Sequence, residues 1–407
     1  AGGIVLGGEG EDLKTGTVLR HTGKNKNPLI QISGGGKPAL EASVRKVTDD
    51  YVPVGAHTVK LDNVQGLSRG DTVMLTRAPD AAWLKFIQAD RAGVDWPVKF
   101  PVIRWDRVIT GISGNTVRLD APVTTALEAK YGGAALAKYT WPERIALCGV
   151  ENLLTICNHT KPDDEDHASS GVSIANAQHV FVRNFTAQHF TYAAVHITPT
   201  AKWVTVADSK CLDPVSILTG ARRYSFCVDG QLSLVRGCLA RRGRHDFVAN
   251  NYGITGPNVF LDCRAENAYS ESGPHRHWTS GMLWDNVSLS DRLSLYHRKN
   301  YGRKEKKPPY HLGHGWAAAN CVAWNCTIAK LLLVESPPGA YNWAIGCKAG
   351  SFSSSGPERG AKKGAGEFYS NNKPVPIRSL YEAQLAERMK STRPVPAPAT
   401  PVRKPSN

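Results

Sequence analysis

The chain has no long apolar run, and this absence excludes an integral membrane protein with helical spans. No stretch of its 407 residues approaches the roughly 18 consecutive apolar residues that a transmembrane helix needs. No basic segment with an apolar core precedes Ala1, so we interpret the N-terminus as trimmed or processed. We therefore expect no membrane partner.

The cysteines lack the spacing of a zinc site. There are nine of them, an odd number that cannot all pair, and none falls into a C-x-x-C motif. Their number does not decide between an oxidising and a reducing compartment.

Acidic residues are outnumbered, with 35 Asp and Glu against 50 Lys and Arg, and the formal charge is +15. An excess of positive charge favours an acidic partner such as nucleic acid, anionic lipid or a charged polysaccharide. A solvated basic surface without a specific partner explains the same charge equally well.

Short β-rich phrases recur along the chain from about residue 153 to residue 348. When one apolar residue of each phrase is aligned, the steps are 21 to 29 residues, with one step of 40. A period of about two dozen residues, with alternating strand patterns and no amphipathic helix between them, predicts the coils of a parallel β-helix. The aligned residues are Ile156, Val182, Val206, Val235, Leu261, Trp284, Trp324 and Ile345.

Two residue types support this interpretation. Cys263, Cys326 and Cys347 each lie two residues after an aligned position, so we expect them to stack as buried small hydrophobes. Glycine and asparagine after each strand suit corners that need a positive φ. The corner candidates are Asn184, Gly237, Asn286, Asn325 and Gly346.

The sequence predicts an all-β protein, a right-handed parallel β-helix with a small inserted antiparallel β-domain and a C-terminal capping helix. We place N-terminal coils in residues 1–54, the insertion in 55–147 and the main β-helix in 148–377. The insertion is distinguished by short strand phrases that SRGD and SGN turns separate. A helix with one apolar face follows in 378–391, and residues 392–407 form a basic, Pro-rich tail that we expect to be disordered.

Four polar clusters lie where loops would leave successive coils at one corner. They are ARRYSF at Ala221, RGRHDF at Arg242, ESGPHRHW at Glu271 and YHLGHGW at Tyr310. Loops at the same corner of a solenoid fall side by side, so these clusters are predicted to form one cationic strip.

Arg, His, Tyr and Trp together are what β-elimination on a uronate polysaccharide requires. Cations neutralise the C6 carboxylate, a base removes the C5 proton, an acid protonates the leaving oxygen, and indoles stack on sugar faces. Taken singly, each histidine is more simply a hydrogen-bonded structural residue. The hypothesis assigns His245 as the base, with His277 as the alternative, and Tyr224 as the acid, with Tyr301 as second choice. The neutralising cations are Arg223, Arg244 and Arg276. The predicted substrate-binding residues are Arg222, Glu271, His275, His314, Trp278 and Trp316.

The coils, with the phrases GARRYSFCVDGQ, GRHDFV, GPNVFLDC, SGPHRHW, LWDNV and GHGWAAANCVAWNC, resemble the pectate-lyase-like right-handed β-helix superfamily, particularly bacterial secreted polysaccharide-lyase-type proteins. The resemblance spans residues 1–389 and implies an endo- or exo-acting lyase whose groove follows the outer wall of the helix. We expect a monomeric enzyme that is secreted or periplasmic. That superfamily also holds hydrolases, epimerases and phage tailspikes.

Several alternatives stay open. The acidic run KPDDEDH holds Asp164, Glu165 and His167, which could bind Ca²⁺, although an exposed acidic turn is the simpler interpretation and no cofactor is required by the sequence. GHG at Gly313 is typical of hydrolases of this fold, but only Asp285 and Asp291 precede it as acid and base. A non-catalytic carbohydrate-binding or tailspike-like protein would share the fold. No nucleic-acid-binding module is present, so nucleic acid is not expected as a partner.

Overall fold

The structure is a computed structural model that describes residues 2–298, 312–354 and 364–391. The backbone winds into a right-handed parallel β-helix, as predicted, because successive coils carry short apolar strands that pair in parallel register with the coil before them. Each coil contributes strands to three parallel stacks. Side chains alternate between the interior and the outer wall, as the two-residue period of a strand requires.

The first stack forms the longest wall of the solenoid. It contains the N-terminal parts of two long strands, Ile145–Cys157 and Ala177–Gln188, whose C-terminal parts continue into the second stack. Its other strands are Val5–Gly10, Lys202–Ala207, Leu234–Arg236, Thr255–Leu261, Thr279–Asp285, Ala318–Ala319, Val322–Trp324, Trp343–Ile345 and Glu367–Tyr369.

The second and third stacks complete each coil. The second stack consists of Val18–His21, Lys210–Leu212, Leu239–Arg241, Arg264–Glu266, Ser288–Leu289, Thr327–Ser336 and Lys348–Ser353. The third stack consists of Ile30–Ser33, Ser170–Ala175, Ala193–Ile197, Phe226–Val228, Phe247–Ala249, Gly273–Pro274 and Leu293–Leu295, the last of which pairs with the end of Thr327–Ser336.

The strand register corrects part of the predicted alignment. Val182, Val206 and Val235 do pair in one row. The row continues through Phe260, Trp284, Ala323 and Ala344, so Leu261, Trp324 and Ile345 lie one residue beyond it. Ile156 pairs with Gln188 instead, six residues from the row member Val150, because the long strand Ile145–Cys157 spans two stacks. Where two apolar residues are adjacent, the sequence does not show which of them faces the interior, so the predicted register can be wrong by one residue.

The corner after the first stack is a column of residues with positive φ. All five predicted corner residues lie in this column, and Asn152, Asp208 and Asp262 complete it. Their φ values run from 48° to 67°. Asn, Asp and Gly tolerate this left-handed conformation best, which explains their recurrence.

The cysteines are buried and free, as expected. Cys263, Cys326 and Cys347 follow the corner column by one residue and are completely enclosed, so their side chains fill the interior of successive coils. The thiols behave here as small apolar groups.

An antiparallel sheet interrupts the early coils. Its strand order is Ala39–Lys46, Ala135–Thr140, Thr72–Arg77, Ile103–Ser113, Thr116–Leu119 and Thr58–Lys60. The sheet begins before residue 55, where the sequence placed the boundary, because Ala39–Lys46 pairs with Ala135–Thr140. A short pair, Tyr51–Val52 with Leu127–Glu128, the helix Ala81–Phe86 and the 3₁₀ turn Ala129–Tyr131 complete the insertion.

The C-terminal helix is Leu380–Ser391, close to the predicted residues 378–391. Ser379 caps its first turn by accepting a hydrogen bond from the Glu382 N–H at 3.0 Å, and it donates its own hydroxyl to Asp285 on the wall of the stack at 2.7 Å. Two short antiparallel pairings also occur, His297–Arg298 with Gly315–Trp316 and Gly364–Ala365 with Thr327–Ser336. Within the described residues, neither helix combines the length and apolar character of a membrane span.

Candidate functional site

Described residues from each of the four polar clusters meet at one edge of the third stack. Ring centroids lie 5.0 Å apart for Tyr224 and His245, 4.5 Å for His245 and His275, and 5.3 Å for His275 and His314. The ring of His277 lies 5.6 Å from that of His314. We call these five residues the histidine cluster; strand ends on successive coils bring them together, as the sequence predicted.

His245 is held with one ring nitrogen free. Its Nδ1 lies 2.6 Å from the backbone carbonyl of Glu271, so the neutral ring donates there and leaves Nε2 as an acceptor with no hydrogen-bond partner among the described residues. The side chain is only 1% exposed, and burial lowers its pKa to about 3. His245 is therefore neutral at physiological pH, the state that a base requires.

Glu271 anchors a cation beside this ring. Burial opposes ionisation of its carboxyl group, but Arg298 donates to Oε1 at 2.5 Å, and this ion pair lowers the pKa of Glu271 to about 2. Arg292 approaches the other oxygen at 3.5 Å. Glu271 thus positions charged groups through its ion pairs, and its carboxylate is already paired.

Tyr224 is the phenol of the cluster. Its hydroxyl lies 3.3 Å from Nε2 of His275 and accepts a long hydrogen bond of 3.5 Å from Arg244. Burial raises the pKa of Tyr224, so the phenol keeps its proton. It is 1% exposed, whereas Arg244 is half-buried and reaches the surface.

His277 occupies a pocket of aromatic rings. Trp96, Phe100 and Tyr252 lie 5.3, 5.2 and 4.9 Å from it, measured between ring centroids. Arg276 donates to the Tyr252 hydroxyl at 2.7 Å. Burial lowers the pKa of His277 to about 3, so this ring is also neutral.

One member of the histidine cluster and two neighbouring arginines form its outer edge. His314, Arg244 and Arg276 are half-buried, while the other histidines are enclosed. Burial, and then the charge of Arg298, lowers the pKa of His314 to about 2. A ligand from solvent therefore meets two arginines and one neutral imidazole first.

Two arginines that the sequence assigned to the substrate have other partners. Arg222 makes a bidentate ion pair with Glu165, at 2.6 and 2.9 Å. Arg223 is 7% exposed and donates to the hydroxyl and carbonyl of Ser216, at 3.0 and 2.6 Å. The role of Arg223 as a neutralising cation is thus corrected to a structural one.

The structure also corrects the roles of two tryptophans. Trp278 and Trp316 are each 2% exposed and pack into the core of the inserted domain. Their indole N–H groups donate to Thr125 at 3.0 Å and to the Ile87 carbonyl at 2.9 Å. Neither ring face is available to a sugar, because both sit between the insertion and the β-helix.

The side chains suggested as calcium ligands in the acidic turn have other partners. Asp164 accepts hydrogen bonds from Thr160 and from the Asp166 N–H, and these bonds lower the pKa of its carboxyl group. Glu165 is paired with Arg222, and the ring of His167 bonds to the Asp164 carbonyl. Calcium takes six to eight oxygen ligands, and in this turn the suggested groups already make these other bonds.

A cavity of about 530 Å³ lies elsewhere, beside the first coils. Arg20, Lys24, His159 and His189 line it together with Asp164. Its lining contains both positive and negative side chains, and it was not predicted from the sequence because its residues come from three separate coils.

Some contributors to the cluster escaped sequence reasoning. Trp96 and Phe100 come from the insertion and share no phase with the coils, and Arg298 belongs to none of the four polar clusters. Tyr252 follows the strand Phe247–Ala249 closely, and this position after a strand is the sequence feature that could have indicated its place near the cluster. Tyr301, the second choice for the acid, lies outside the described residues.

Comparisons with known proteins show the fold. No family model matches the chain, and the search of curated proteins found no match. The tailspike protein gp49 of Pseudomonas phage LKA1 is similar over 85% of this chain, with 12% identity and a TM-score of 0.50. This chain spans only about half of that tailspike, 52% of its length.

Two further structures are similar at lower scores. The tailspike gp61 of Pseudomonas phage phi297 aligns with 92% of this chain and 68% of its own, at 11% identity and a TM-score of 0.42. An alginate lyase from Paenibacillus sp. str. FPU-7 aligns with 57% of this chain and 74% of its own, at 9% identity and a TM-score of 0.30.

Proposed function

We propose that the protein acts on an acidic, uronate-containing polysaccharide and cleaves it by β-elimination at the histidine cluster. The observation that carries this proposal is the contact between His245, with its unpartnered Nε2, and the protonated phenol of Tyr224, beside Arg244. A base, an acid and a cation within one cluster are the three groups that elimination needs.

In the proposed reaction the cations act first. Arg244 and Arg276, at the outer edge, neutralise the C6 carboxylate and make the C5 proton more acidic. Nε2 of His245 takes that proton while the bond from C4 to the leaving oxygen breaks, and Tyr224 protonates that oxygen. His277 is the alternative base.

The pKa values are consistent with this order of events. His245 starts neutral and Tyr224 starts protonated. A pKa of about 3 makes His245 a weak base in the empty site, but an arriving carboxylate offsets the surrounding positive charge and raises that pKa. Because both side chains are enclosed, the outer edge must open before the sugar reaches them.

Hydrolysis is the less favoured chemistry. It needs two free carboxyl groups at the bond that is cleaved. Asp285 is bonded to Ser379 and Tyr381, and Asp291 is paired with Lys330 and Arg292. The enclosure of His245 and Tyr224 favours instead, as second candidate, a non-catalytic saccharide-binding protein that uses the half-buried Arg244 and Arg276 at the outer edge.

The proposed setting follows from the same substrate. We propose a secreted or periplasmic monomer whose partner is the polysaccharide, with neither nucleic acid nor membrane as partner. The formal charge of +15 would draw a polyanion to the wall and raise its association rate at low salt.

The proposal is tested with His245→Gln and Tyr224→Phe on a polyanion that the wild type degrades. Each variant is expected to lose about 10²- to 10⁴-fold in kcat, the usual contribution of a general acid or base. His159→Gln, at the separate cavity, is the matched control and should keep wild-type turnover. Full activity in both cluster variants would refute the assignment, provided that circular dichroism shows all proteins folded.

A further inference from the structure

A second polar group lies on the outer face of the third stack. His196 and Cys227 are direct neighbours in register on the strands Ala193–Ile197 and Phe226–Val228. Asp229 follows Cys227 by two residues, so the two-residue period of a strand turns both side chains to the same side. Adjacent coils therefore present an imidazole, a thiol and a carboxylate side by side on a rigid support.

The three ligand atoms are close enough to share one ion. One nitrogen of His196, the sulfur of Cys227 and one carboxylate oxygen of Asp229 all lie within 4.8 Å of one another. Nε2 of His196 is 3.2 Å from Oδ2 of Asp229. Two ligands at about 2.0–2.2 Å from a tetrahedral zinc ion are separated by roughly 3.4 Å, so this pair already has the required spacing.

Neighbouring residues hold the ligands in place. The Asn250 N–H donates to Oδ1 of Asp229 at 2.6 Å and leaves Oδ2 directed at His196. The Tyr192 hydroxyl lies 3.4 Å from the Cys227 sulfur, and its ring packs edge-on against His196 at 5.2 Å. Such outer contacts commonly orient metal ligands.

Charge distinguishes this group from a second one of similar geometry. His245, Glu271 and His275 also place their ligand atoms within 4.8 Å. There, however, Arg298 and Arg292 already pair with Glu271, so a divalent cation would meet two positive charges. In the first group, a thiolate and a carboxylate together balance a charge of +2.

We propose that His196, Cys227 and Asp229 form a binding site for one Zn²⁺ ion, with water as the fourth ligand. A thiolate ligand favours zinc over calcium or magnesium. Cys227 is fully enclosed, whereas the His196 side chain is 23% exposed and gives an ion access from solvent. The site joins two coils and does not depend on the elimination reaction.

Binding requires one proton to leave. Burial raises the pKa of the Cys227 thiol well above its ordinary value, so the sulfur is protonated before the metal arrives. The S–H bond breaks, the sulfur keeps the electron pair and bonds to Zn²⁺, and the proton passes to solvent. No electron is transferred.

The test uses Co²⁺, which replaces zinc and gives a thiolate charge-transfer absorption band. The full chain is stripped with a chelator and titrated with Co²⁺, and the band is expected to saturate at one equivalent and to disappear when Zn²⁺ is added. Cys227→Ser and His196→Gln should each abolish the band. Cys211→Ser, another buried cysteine on the neighbouring stack, is the matched control and should retain it.

Three results would overturn the proposal: no band in the wild type, a band that survives Cys227→Ser, or cobalt binding that only His275→Gln removes. The last would move the metal to the histidine cluster. His196→Gln keeps the test decisive if Cys227→Ser does not fold, because His196 is partly exposed and glutamine retains a polar side chain.

Discussion

At the scale of single residues, a buried network of charged side chains joins the insertion to the coils. Asp106 accepts hydrogen bonds from Lys202 at 2.6 Å, from Arg144 at 2.7 Å and from the Tyr139 hydroxyl at 2.7 Å. Lys202 is 1% exposed. Its charge is tolerable there because the carboxylate of Asp106 is in contact with it.

Asp106→Asn is expected to lower the free energy of unfolding by about 3–5 kcal/mol, since it leaves Lys202 and Arg144 buried without a counter-charge. Urea denaturation measures the change. Asp163→Asn removes an exposed pair with Lys161 and should cost no more than about 1 kcal/mol. Equal effects of the two substitutions would contradict the network.

Stability should also fall in acid, because of the neutral histidines. The pKa of His245 and His277 is about 3 in the folded chain, against 6.5 when unfolded, so the unfolded chain binds more protons between these values. Their contribution is complete above pH 6.5 and is lost progressively as the pH falls toward 3. Asp246 opposes this trend, because burial raises its pKa to about 7.

The measurement is the urea midpoint of the wild type and of His277→Gln from pH 8 to pH 5. The variant should lose less stability over this range than the wild type. Parallel curves would show that His277 is not buried in its neutral form.

Some residues of the candidate site could be predicted from the sequence and others could not. The clusters around Tyr224, His245 and His275 were predicted to meet because strand phase alone places them on adjacent coils. The roles of Trp278 and Trp316 were wrong, because the sequence cannot show that an insertion some 200 residues upstream covers these rings.

At the scale of elements, one corner asparagine fastens the C-terminal segment to the coils. The Asn325 amide donates to the carbonyls of Ile377 and Arg378 at 3.0 and 3.1 Å, and its oxygen accepts from the Val375 N–H at 2.9 Å. Its φ is 49°, so the same residue turns the coil and anchors the segment.

Asn325→Ala should destabilise the protein by about 1–2 kcal/mol from the left-handed backbone alone and should release the segment before the helix Leu380–Ser391. Limited proteolysis detects the release as faster cleavage near Ile377. Asn184→Ala changes a corner with φ of 48° that contacts Asn152 instead, and it should leave that cleavage rate unchanged. Faster cleavage in both variants would contradict a specific anchor.

The solenoid period and the corner residues were accessible from sequence because each repeats in every coil. The strand register was harder to predict from the sequence. Leu261, Trp324 and Ile345 each lie one residue beyond the observed row, because either of two adjacent apolar residues fits the repeated phrase equally well. Pairing with the neighbouring coil decides between them, and that contact is not local.

At the scale of the whole molecule, the insertion and the β-helix share a continuous interface. Arg107 donates to the Gly256 carbonyl at 2.7 Å, Trp96 donates to the Gly313 carbonyl at 2.9 Å, and the hydroxyls of Thr124 and Ser280 are 2.8 Å apart. With so many buried contacts, we expect calorimetry to show one cooperative unfolding transition, and two separate transitions would contradict this account.

Trp278→Phe tests the structural role of this tryptophan at the interface between the insertion and the β-helix. Loss of the indole hydrogen bond to Thr125 and of part of the ring should destabilise the protein by roughly 1–3 kcal/mol, as for other buried groups. The KM for a saccharide should not change, because the ring does not face solvent. A raised KM with unchanged stability would restore the sugar-stacking role.

The central claim is elimination on a uronate polysaccharide. Its most direct test is to incubate the purified protein with a panel of polyanions, including pectate, alginate, glucuronan, ulvan and glycosaminoglycans, and to follow the ultraviolet absorbance of unsaturated uronate. We expect the absorbance to rise with at least one of them. Flat absorbance on every polymer, with reducing ends increasing or with binding alone, would contradict it.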